Sequence, residues 1–252
     1  MDINGICISS ATDEHGPIYV YQTRNSLVLS FDGEIYQSCM KLNNMNGLHL
    51  DYTQAMMAGL FFIPALKTAT IMGLGAGSMA KNLLSSFPEL DVHAVEYREA
   101  VVKAAKKYFH LPDTNRLCIH IDDAVNHIKN TVIKSDIIFS DLYNTGGMEA
   151  NQVQSSYLRD CNNALTEQGV LVLNICNTSL HLREALDQLL LHEFNNQLLR
   201  FEVESGNTII LAFKNEIPLI ERKDLLTKAQ SLHKKMDVPM ERYAKLLLDT
   251  QG

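Results

Sequence analysis

The sequence predicts an α/β fold in which a small N-terminal β domain precedes a mostly parallel sheet with an antiparallel last strand. Strand-like runs fill the first part of the chain, whereas helical and strand-like segments alternate from residue 49 onward. Alternation of this kind is typical of a parallel sheet covered by helices on both faces. Two late strand-like runs flank residues 204–207 and predict a closing hairpin. We therefore expect two domains, residues 1–48 and residues 49–252.

The N-terminal segment alternates short apolar runs with turn residues. Asp32-Gly33 is a strong hairpin signal, and the Asn-rich stretch 43–47 is typical of a loop. Strands are expected over residues 18–21, 26–31 and 34–37.

The second segment begins with a helix that Pro64 closes. Apolar runs bounded by Gly, Pro and Asp then predict strands, and amphipathic stretches between them predict helices. Strands are expected over residues 69–72, 91–95, 116–121, 136–140, 169–174, 198–203 and 208–213. Helices are expected over residues 52–62, 78–87, 100–109, 124–129, 152–165 and 180–191, followed by a helical tail over 222–248.

Composition narrows the function classes. The 252 residues carry 22 basic and 29 acidic side chains, a net charge of −7, which argues against a nucleic-acid binder with a basic face. The longest apolar run is interrupted by Gly59 and Pro64 and is too short to span a membrane. The N-terminus lacks the pattern of an export signal, and five cysteines without C-x-x-C spacing suit reduced, buried thiols. These features predict a cytoplasmic protein, and no His/Cys cluster has zinc spacing, so no metal is assigned.

The strongest local signal is the turn Gly73-Leu-Gly75-Ala-Gly77 between the first strand of the second segment and its helix. Glycines there let a ligand approach the backbone beside a helix N-terminus. Glu96 ends the next strand, where a carboxylate can accept hydrogen bonds from a ribose. The third glycine comes one residue too early for the dinucleotide fingerprint, so the spacing favours an adenosyl-binding loop of the methyltransferase-like kind.

Carboxylates also end the next two strands. Asp122-Asp123 follows the third strand of the second segment, and we expect one of the two to cap a helix and the other to bind the adenine amino group. Asp141 ends the fourth strand at the same cleft, where it could face a sulfonium or take a proton from an attacking amine. The Gly-containing loop over residues 143–148 is typical of a lid, and Tyr52 opens the helix before the core.

Taken together, these blocks resemble the spermidine synthase (polyamine aminopropyltransferase) family, of which the chain looks like a divergent member. The resemblance covers residues 32–213. It implies a Rossmann-like, S-adenosylmethionine-dependent methyltransferase-type fold behind the small β domain. The matching blocks are Asp32-Gly33, Tyr52-Thr-Gln54, Gly73-Leu-Gly-Ala-Gly77, Val95-Glu96, Asp122-Asp-Ala124, Phe139-Ser-Asp141, residues 163–170 and Ser205-Gly206.

The resemblance also implies roles for individual residues. Asp141 corresponds to the base for the attacking amine, and Tyr52 lines the same pocket. Among the donor-binding residues, Glu96 would hold the ribose and Gln37 the methionine-derived part. Gly73, Gly75 and Gly77 would shape the nucleoside loop, and Asp123 with Ala124 would hold adenine.

The amine half of the site departs from the family pattern. Ala76 stands where the glycine loop usually carries an aspartate, and Asn144 stands where a second acid follows the base. Val203 replaces a tyrosine, and Gln54 replaces a glutamate. Each change removes a carboxylate or hydroxyl that would help to hold a cationic polyamine.

Three functions follow from these residues. The first is aminopropyl transfer from decarboxylated S-adenosylmethionine, a co-substrate and not a tightly bound cofactor, to a small-molecule amine. The second is a small-molecule methyltransferase that uses S-adenosylmethionine, whose carboxylate would occupy the room left at Ala76. The third is a nucleoside-binding homologue that has lost catalysis. The short β segment has edges to cover, and the resemblance implies dimers, so a homodimer is expected.

Overall fold

The N-terminal residues form a separate antiparallel sheet. The structure, a computed structural model, describes residues 3–144, 147–176 and 180–249. The small sheet has the strand order β1-β2-β3-β4. Its strands are β1 (Ile6–Asp13), β2 (Gly16–Gln22), β3 (Ser26–Ser30) and β4 (Ser38–Lys41).

The strand predicted over residues 34–37 is wrong. One carboxylate oxygen of Asp32 accepts hydrogen bonds from the backbone N–H groups of Glu34 and Ile35, both at 2.8 Å. These bonds bend the chain after β3, so pairing resumes only at Ser38. The first strand, β1, has no counterpart in the predicted elements because its sequence does not alternate apolar and polar residues, and most of its side chains are exposed.

The helix predicted over residues 52–62 changes character midway. It begins as α1 (Asp51–Met56) and tightens into a 3₁₀ helix (Met57–Phe62) whose residues are all buried. Gly59 permits this close packing, because a Cβ there would lie 2.6 Å from Val172 and 2.9 Å from Ile137. A buried segment that packs against a sheet can adopt the more tightly wound 3₁₀ form where an amphipathic pattern predicts an α-helix.

The second segment alternates strands and helices as predicted, and its predicted elements are all present with small shifts at their ends. In chain order these are β5 (Thr68–Met72), α2 (Ser78–Ser86), β6 (Asp91–Glu96), α3 (Glu99–Tyr108), β7 (Leu117–Ile121), α4 (Ala124–Asn130), β8 (Ser135–Ser140), the hairpin β9 (Tyr143–Asn144) and β10 (Gly147–Met148), a 3₁₀ helix (Ala150–Val153), α5 (Ser155–Ala164), β11 (Leu165–Cys176), α6 (Leu180–Glu193), β12 (Leu198–Glu202), β13 (Asn207–Phe213), α7 (Arg222–Met236) and α8 (Met240–Asp249).

Seven of these strands form the central sheet, in the order β12-β13-β11-β8-β5-β6-β7. The strands from β11 to β7 are parallel, and β13 pairs antiparallel with both β11 and β12. The predicted α/β fold with a mostly parallel sheet and an antiparallel final strand is therefore confirmed. From β5 the chain moves outward through β6 and β7 and then returns to β8 on the other side. This reversal opens a crevice at the carboxyl ends of β5 and β8, the usual ligand position in such sheets.

The predicted helical tail packs on its own domain. It divides into two helices at Asp237, which adopts a positive φ of 54°. Both helices bury side chains in the apolar layer that covers one face of the central sheet, namely Leu225, Ala229, Tyr243 and Leu247. The tail therefore covers one face of that sheet, and no described helix is long and apolar enough to cross a membrane.

The small sheet is joined to the central domain by a buried charge pair. The guanidinium of Arg98, only 2% exposed, donates two hydrogen bonds to the carboxylate of Asp13, at 3.0 and 2.8 Å, and a third to the backbone oxygen of Gly16 at 2.7 Å. These bonds hold the pKa of Asp13 below its ordinary value. Beside this pair, Ile18 of β2 and Phe109 after α3 share an apolar cluster. The domain boundary near residue 48 stays a prediction.

Replacing Asp13 with alanine should lower the free energy of unfolding by about 2 kcal/mol, because it leaves the buried Arg98 guanidinium without its anion. Glu14→Ala is the matched control, since the neighbouring Glu14 side chain is 86% exposed. Urea denaturation of both variants provides the measurement. Equal stabilities would show that the charge pair contributes nothing to joining the two sheets.

Candidate active site

A cavity of about 670 Å³ lies between the small sheet and the carboxyl edge of the central sheet. It occupies the crevice at the strand reversal between β5 and β8. Of the ten residues predicted for the site, nine line this cavity, and Gly77 is the exception. The nine are Gln37, Tyr52, Gly73, Gly75, Glu96, Asp122, Asp123, Ala124 and Asp141.

The glycine loop lies directly against the end of β8. Gly73 has a φ of +93°, and a Cβ on it would lie 2.3 Å from the backbone oxygen of Asp141. Backbone hydrogen bonds hold this arrangement, from Gly73 N–H to Val95 and from Asp141 N–H to Met72, both at 3.0 Å. Only glycine combines that φ with that approach. The close contact places the backbone of the predicted donor loop directly beside that of the predicted base.

Gly77 shapes the turn without facing the cavity. It is the N-cap of α2, with a φ of 76°. A Cβ there would lie 2.4 Å from a methyl carbon of Leu111. Its role in the predicted nucleoside loop is therefore to let the chain turn into the helix and pack beneath it.

Glu96 is held in place by the backbone around it. Its carboxylate is 6% exposed and accepts hydrogen bonds from Gly75 N–H at 3.2 Å and Arg98 N–H at 3.1 Å. Burial raises the pKa of Glu96, and the backbone donors act against that shift. The result is a preorganised acceptor beside the glycine loop, as a ribose site requires.

Asp123 is the helix cap of the predicted pair. Its Oδ1 accepts hydrogen bonds from the N–H groups of Val125 and Asn126, at 2.9 and 3.0 Å, and so begins α4. Asp122 instead accepts from the side-chain amide of Asn126, at 2.8 and 3.1 Å. The prediction that one aspartate caps is confirmed. Both aspartates line the cavity, so the identity of the adenine acceptor stays a prediction.

Asp141 belongs to a hydrogen-bonded group of side chains that also lines the cavity. Asn174 donates to its Oδ1 at 2.8 Å, and Asn207 donates to the side-chain oxygen of Asn174 at 2.8 Å. Burial raises the pKa of Asp141 to about 6, while hydrogen bonds from Asn174 and Tyr52 act in the opposite direction. Burial and the nearby Asp141 charge also raise the pKa of Tyr52 well above its ordinary value, so Tyr52 stays a neutral donor. A carboxylate with this pKa is suited to proton transfer near neutral pH.

Sequence reasoning missed the two asparagines and Tyr143, which line the cavity beside Asp141. The Tyr143 hydroxyl donates to the backbone oxygen of Asn174 at 3.0 Å. Asn174 was identifiable in principle, since it ends the fifth predicted strand at the same edge as Asp141. Asn207 offered no such signal, because only the antiparallel pairing of β13 with β11 brings it to that edge.

The cavity wall is acidic. Its described lining includes five carboxylates and no lysine or arginine, and His49 supplies an imidazole. Burial lowers the pKa of His49, which favours its neutral form. The carboxylates are Glu96, Asp122, Asp123, Asp141 and Glu149.

Three of the four departures from the family pattern lie away from this wall. Ala76 is fully buried in the apolar cluster beneath the small sheet, so the structure does not support the idea that it opens room for a donor carboxylate. Val203 is buried in the core. Gln54 donates to the backbone oxygen of Leu48 at 2.6 Å and accepts from the Tyr243 hydroxyl at 3.2 Å. The side chain of Asn144 lies outside the described part of the structure.

Two of the five cysteines differ from the expectation of buried thiols. Cys7 and Cys118 are exposed, Cys161 is buried, and the other two are half-buried. Cys118 lies on β7, whose outer edge has no strand partner in the described sheet.

Comparison with known proteins identifies the family. The model of the spermine/spermidine synthase domain matches residues 31–196. A polyamine aminopropyltransferase of Neisseria meningitidis serogroup A is 30% identical over 81% of this chain and 81% of its own. A probable spermidine synthase from Corynebacterium glutamicum superposes with a TM-score of 0.75 at 18% identity, over 95% of this chain and 94% of its own. Human methyltransferase-like protein 13, solved with SAH, gives 0.68 at 22% identity, over 75% and 93%.

The fold and the family match define a transferase with a methyltransferase-like domain. This chain belongs to the spermidine synthase family, as its sequence motifs indicated.

Replacing Gly73 with alanine should destabilise the protein by about 3 kcal/mol, because it adds a steric clash with Asp141 to an unfavourable φ. Gly206→Ala is the control: its φ is +84°, but open space surrounds the new Cβ, so strain alone should cost about 1 kcal/mol. Urea denaturation compares the two. Equal losses would mean that the close contact between the strand ends is not a packing constraint.

Proposed function

We propose that this protein transfers the aminopropyl group of decarboxylated S-adenosylmethionine to a small-molecule amine. The family assignment supports the reaction class, since two relatives named polyamine aminopropyltransferases match 91% and 81% of the chain. The observation that carries the proposal is the acidic cavity, in which the buried carboxyl group of Asp141 lies beside the glycine loop.

The charges favour the decarboxylated donor over S-adenosylmethionine. Decarboxylated S-adenosylmethionine carries a sulfonium and an ammonium and no carboxylate. The described lining residues include five carboxylates and no lysine or arginine. An added carboxylate on the donor would meet repulsion in such a cavity, whereas a doubly cationic donor is attracted.

The nucleoside half of the donor would lie along the ends of β5, β6 and β7. Glu96 is positioned to accept from the ribose hydroxyls, beside Gly75. The Asp122-Asp123-Ala124 corner would receive adenine at the start of α4. Gln37, from the small sheet, would contact the aminopropyl part. In this orientation of the donor, the carbon bonded to the sulfonium would lie near Asp141.

The chemistry is a displacement at that carbon. The amine nitrogen forms a bond to it, the carbon–sulfur bond breaks, and methylthioadenosine leaves with the electron pair. The attacking amine must first lose a proton, which the carboxylate of Asp141 accepts. Tyr52 and Asn174 hold the carboxylate in position, and the enclosed cavity aligns the two substrates.

The same geometry bears on the acceptor. Asn174 and Asn207 occupy the wall beside Asp141. Neutral amides can hydrogen-bond to an amine acceptor but add no negative charge to the wall. An acceptor with few positive charges therefore suits this part of the wall better than a long polycation does. A homodimer and a cytoplasmic location remain predictions from the sequence.

A product assay tests the proposal directly. The purified chain is incubated with decarboxylated S-adenosylmethionine and a mixture of diamines and polyamines, and products are measured by mass spectrometry. We expect methylthioadenosine only when an amine is present, together with a new polyamine whose mass identifies the acceptor. A parallel incubation with S-adenosylmethionine that released S-adenosylhomocysteine would indicate methyl transfer instead. Donor binding without either product would favour the homologue that lost catalysis.

Asp141→Asn should reduce kcat by about 10²–10⁴-fold, because it removes the proton acceptor. In the unchanged protein, kcat/KM should fall as pH drops below about 6, since the raised pKa of Asp141 leaves it protonated there and unable to accept a proton. The Asn variant should lack this acidic limb.

Two measurements separate this role from a loss of fold. Methylthioadenosine affinity, measured by calorimetry, should be little changed in Asp141→Asn, because the nucleoside contacts lie elsewhere. Asp113→Asn, at an exposed position, should behave as the unchanged protein. An acidic limb that persisted in the Asp141 variant would assign the titrating group to another residue.

A further inference from the structure

Three metal-ligating side chains meet at the outer edge of the central sheet. His93 lies on β6, and Cys118 and His120 lie on β7. The parallel register pairs His93 with Cys118 and Val95 with His120, so the three side chains share one face of the sheet. Helix α4 covers this face, and the ring of its His127 lies tilted against that of His120, with ring centroids 4.5 Å apart.

The separations suit a single ion. The Nδ1 of His93 and the Nε2 of His120 are 3.2 Å apart. Two nitrogens that bind a tetrahedral ion at about 2.0–2.1 Å lie about 3.4 Å apart. One ligand atom from each of His93, Cys118 and His120 lies within 4.8 Å of the other two.

We propose that His93, Cys118 and His120 form a binding site for a borderline divalent transition metal such as Zn²⁺. Two imidazoles and a thiolate are ligands that Zn²⁺ prefers, and three protein ligands leave a fourth position for water. Binding would release the Cys118 proton, because the thiolate is the ligand.

The surroundings support this site. The exposed thiol of Cys118 gives the ion a path from solvent. None of the three ligands lines the donor cavity, so the metal site is separate from the proposed reaction. Sequence spacing did not reveal it, because the ligands come from two strands.

The test uses Co²⁺ as a spectroscopic probe on the chelator-stripped full chain near pH 7.5. We expect one Co²⁺ per chain, visible bands of tetrahedral Co²⁺, a thiolate-to-cobalt charge-transfer band, and displacement of Co²⁺ by Zn²⁺. Cys118→Ser should abolish the charge-transfer band and weaken binding at least tenfold. His93→Gln should also weaken binding at least tenfold. Cys7→Ser, which changes another exposed thiol, should match the unchanged protein.

A second measurement needs no variant. Excess Zn²⁺ should slow alkylation of Cys118 by iodoacetamide in the unchanged chain and leave Cys7 unaffected, as read by peptide mass spectrometry. The proposal is overturned by a charge-transfer band that survives Cys118→Ser. It is also overturned if Co²⁺ binds no more tightly than to a Cys118→Ser, His93→Gln double variant, or if Zn²⁺ leaves Cys118 alkylation unchanged.

Discussion

The site depends on the close contact between two parallel strand ends. Gly73 approaches the backbone of Asp141 so closely that any side chain would collide. This contact exists because β5 and β8 are neighbours across the reversal in strand order. Residues 68 positions apart in the chain therefore lie side by side, with the glycine loop next to the strand end that carries the Asp141 carboxylate. The rest of the cavity is arranged around this pair.

The small sheet completes the cavity, and polar contacts position it there together with the apolar cluster that it shares with the glycine loop and α3. Ser38 of β4 accepts a hydrogen bond from the Ala76 N–H at 3.1 Å, inside the glycine loop. Arg98 binds Asp13 on the other side, two residues after Glu96. The residues that hold the sheet are thus chain neighbours of those that would bind the nucleoside. A shift of the small sheet would therefore also move the residues of the proposed donor site.

Burial gives the cavity its chemistry. Acid groups exposed to water would titrate near pH 4, but burial moves the pKa of Asp141 to about 6. Asn174 limits this shift by donating to the carboxylate, and Asn207 holds Asn174 in turn. Amide groups so placed orient the carboxylate without neutralising it.

The sequence by itself determined the order of strands and helices from residue 49 onward, because apolar periodicity and Gly, Pro and Asp breaks are local signals. It also identified the strand-end residues Gly73, Glu96 and Asp141, since a parallel sheet collects its carboxyl ends at one edge. Only the tertiary structure decided that Asp123 is the cap, that Asn207 supports Asn174 beside Asp141, and that the loop over residues 34–37 is not a strand. Those outcomes depend on pairing and hydrogen bonds between segments distant in the chain or on turn geometry, which no local pattern encodes.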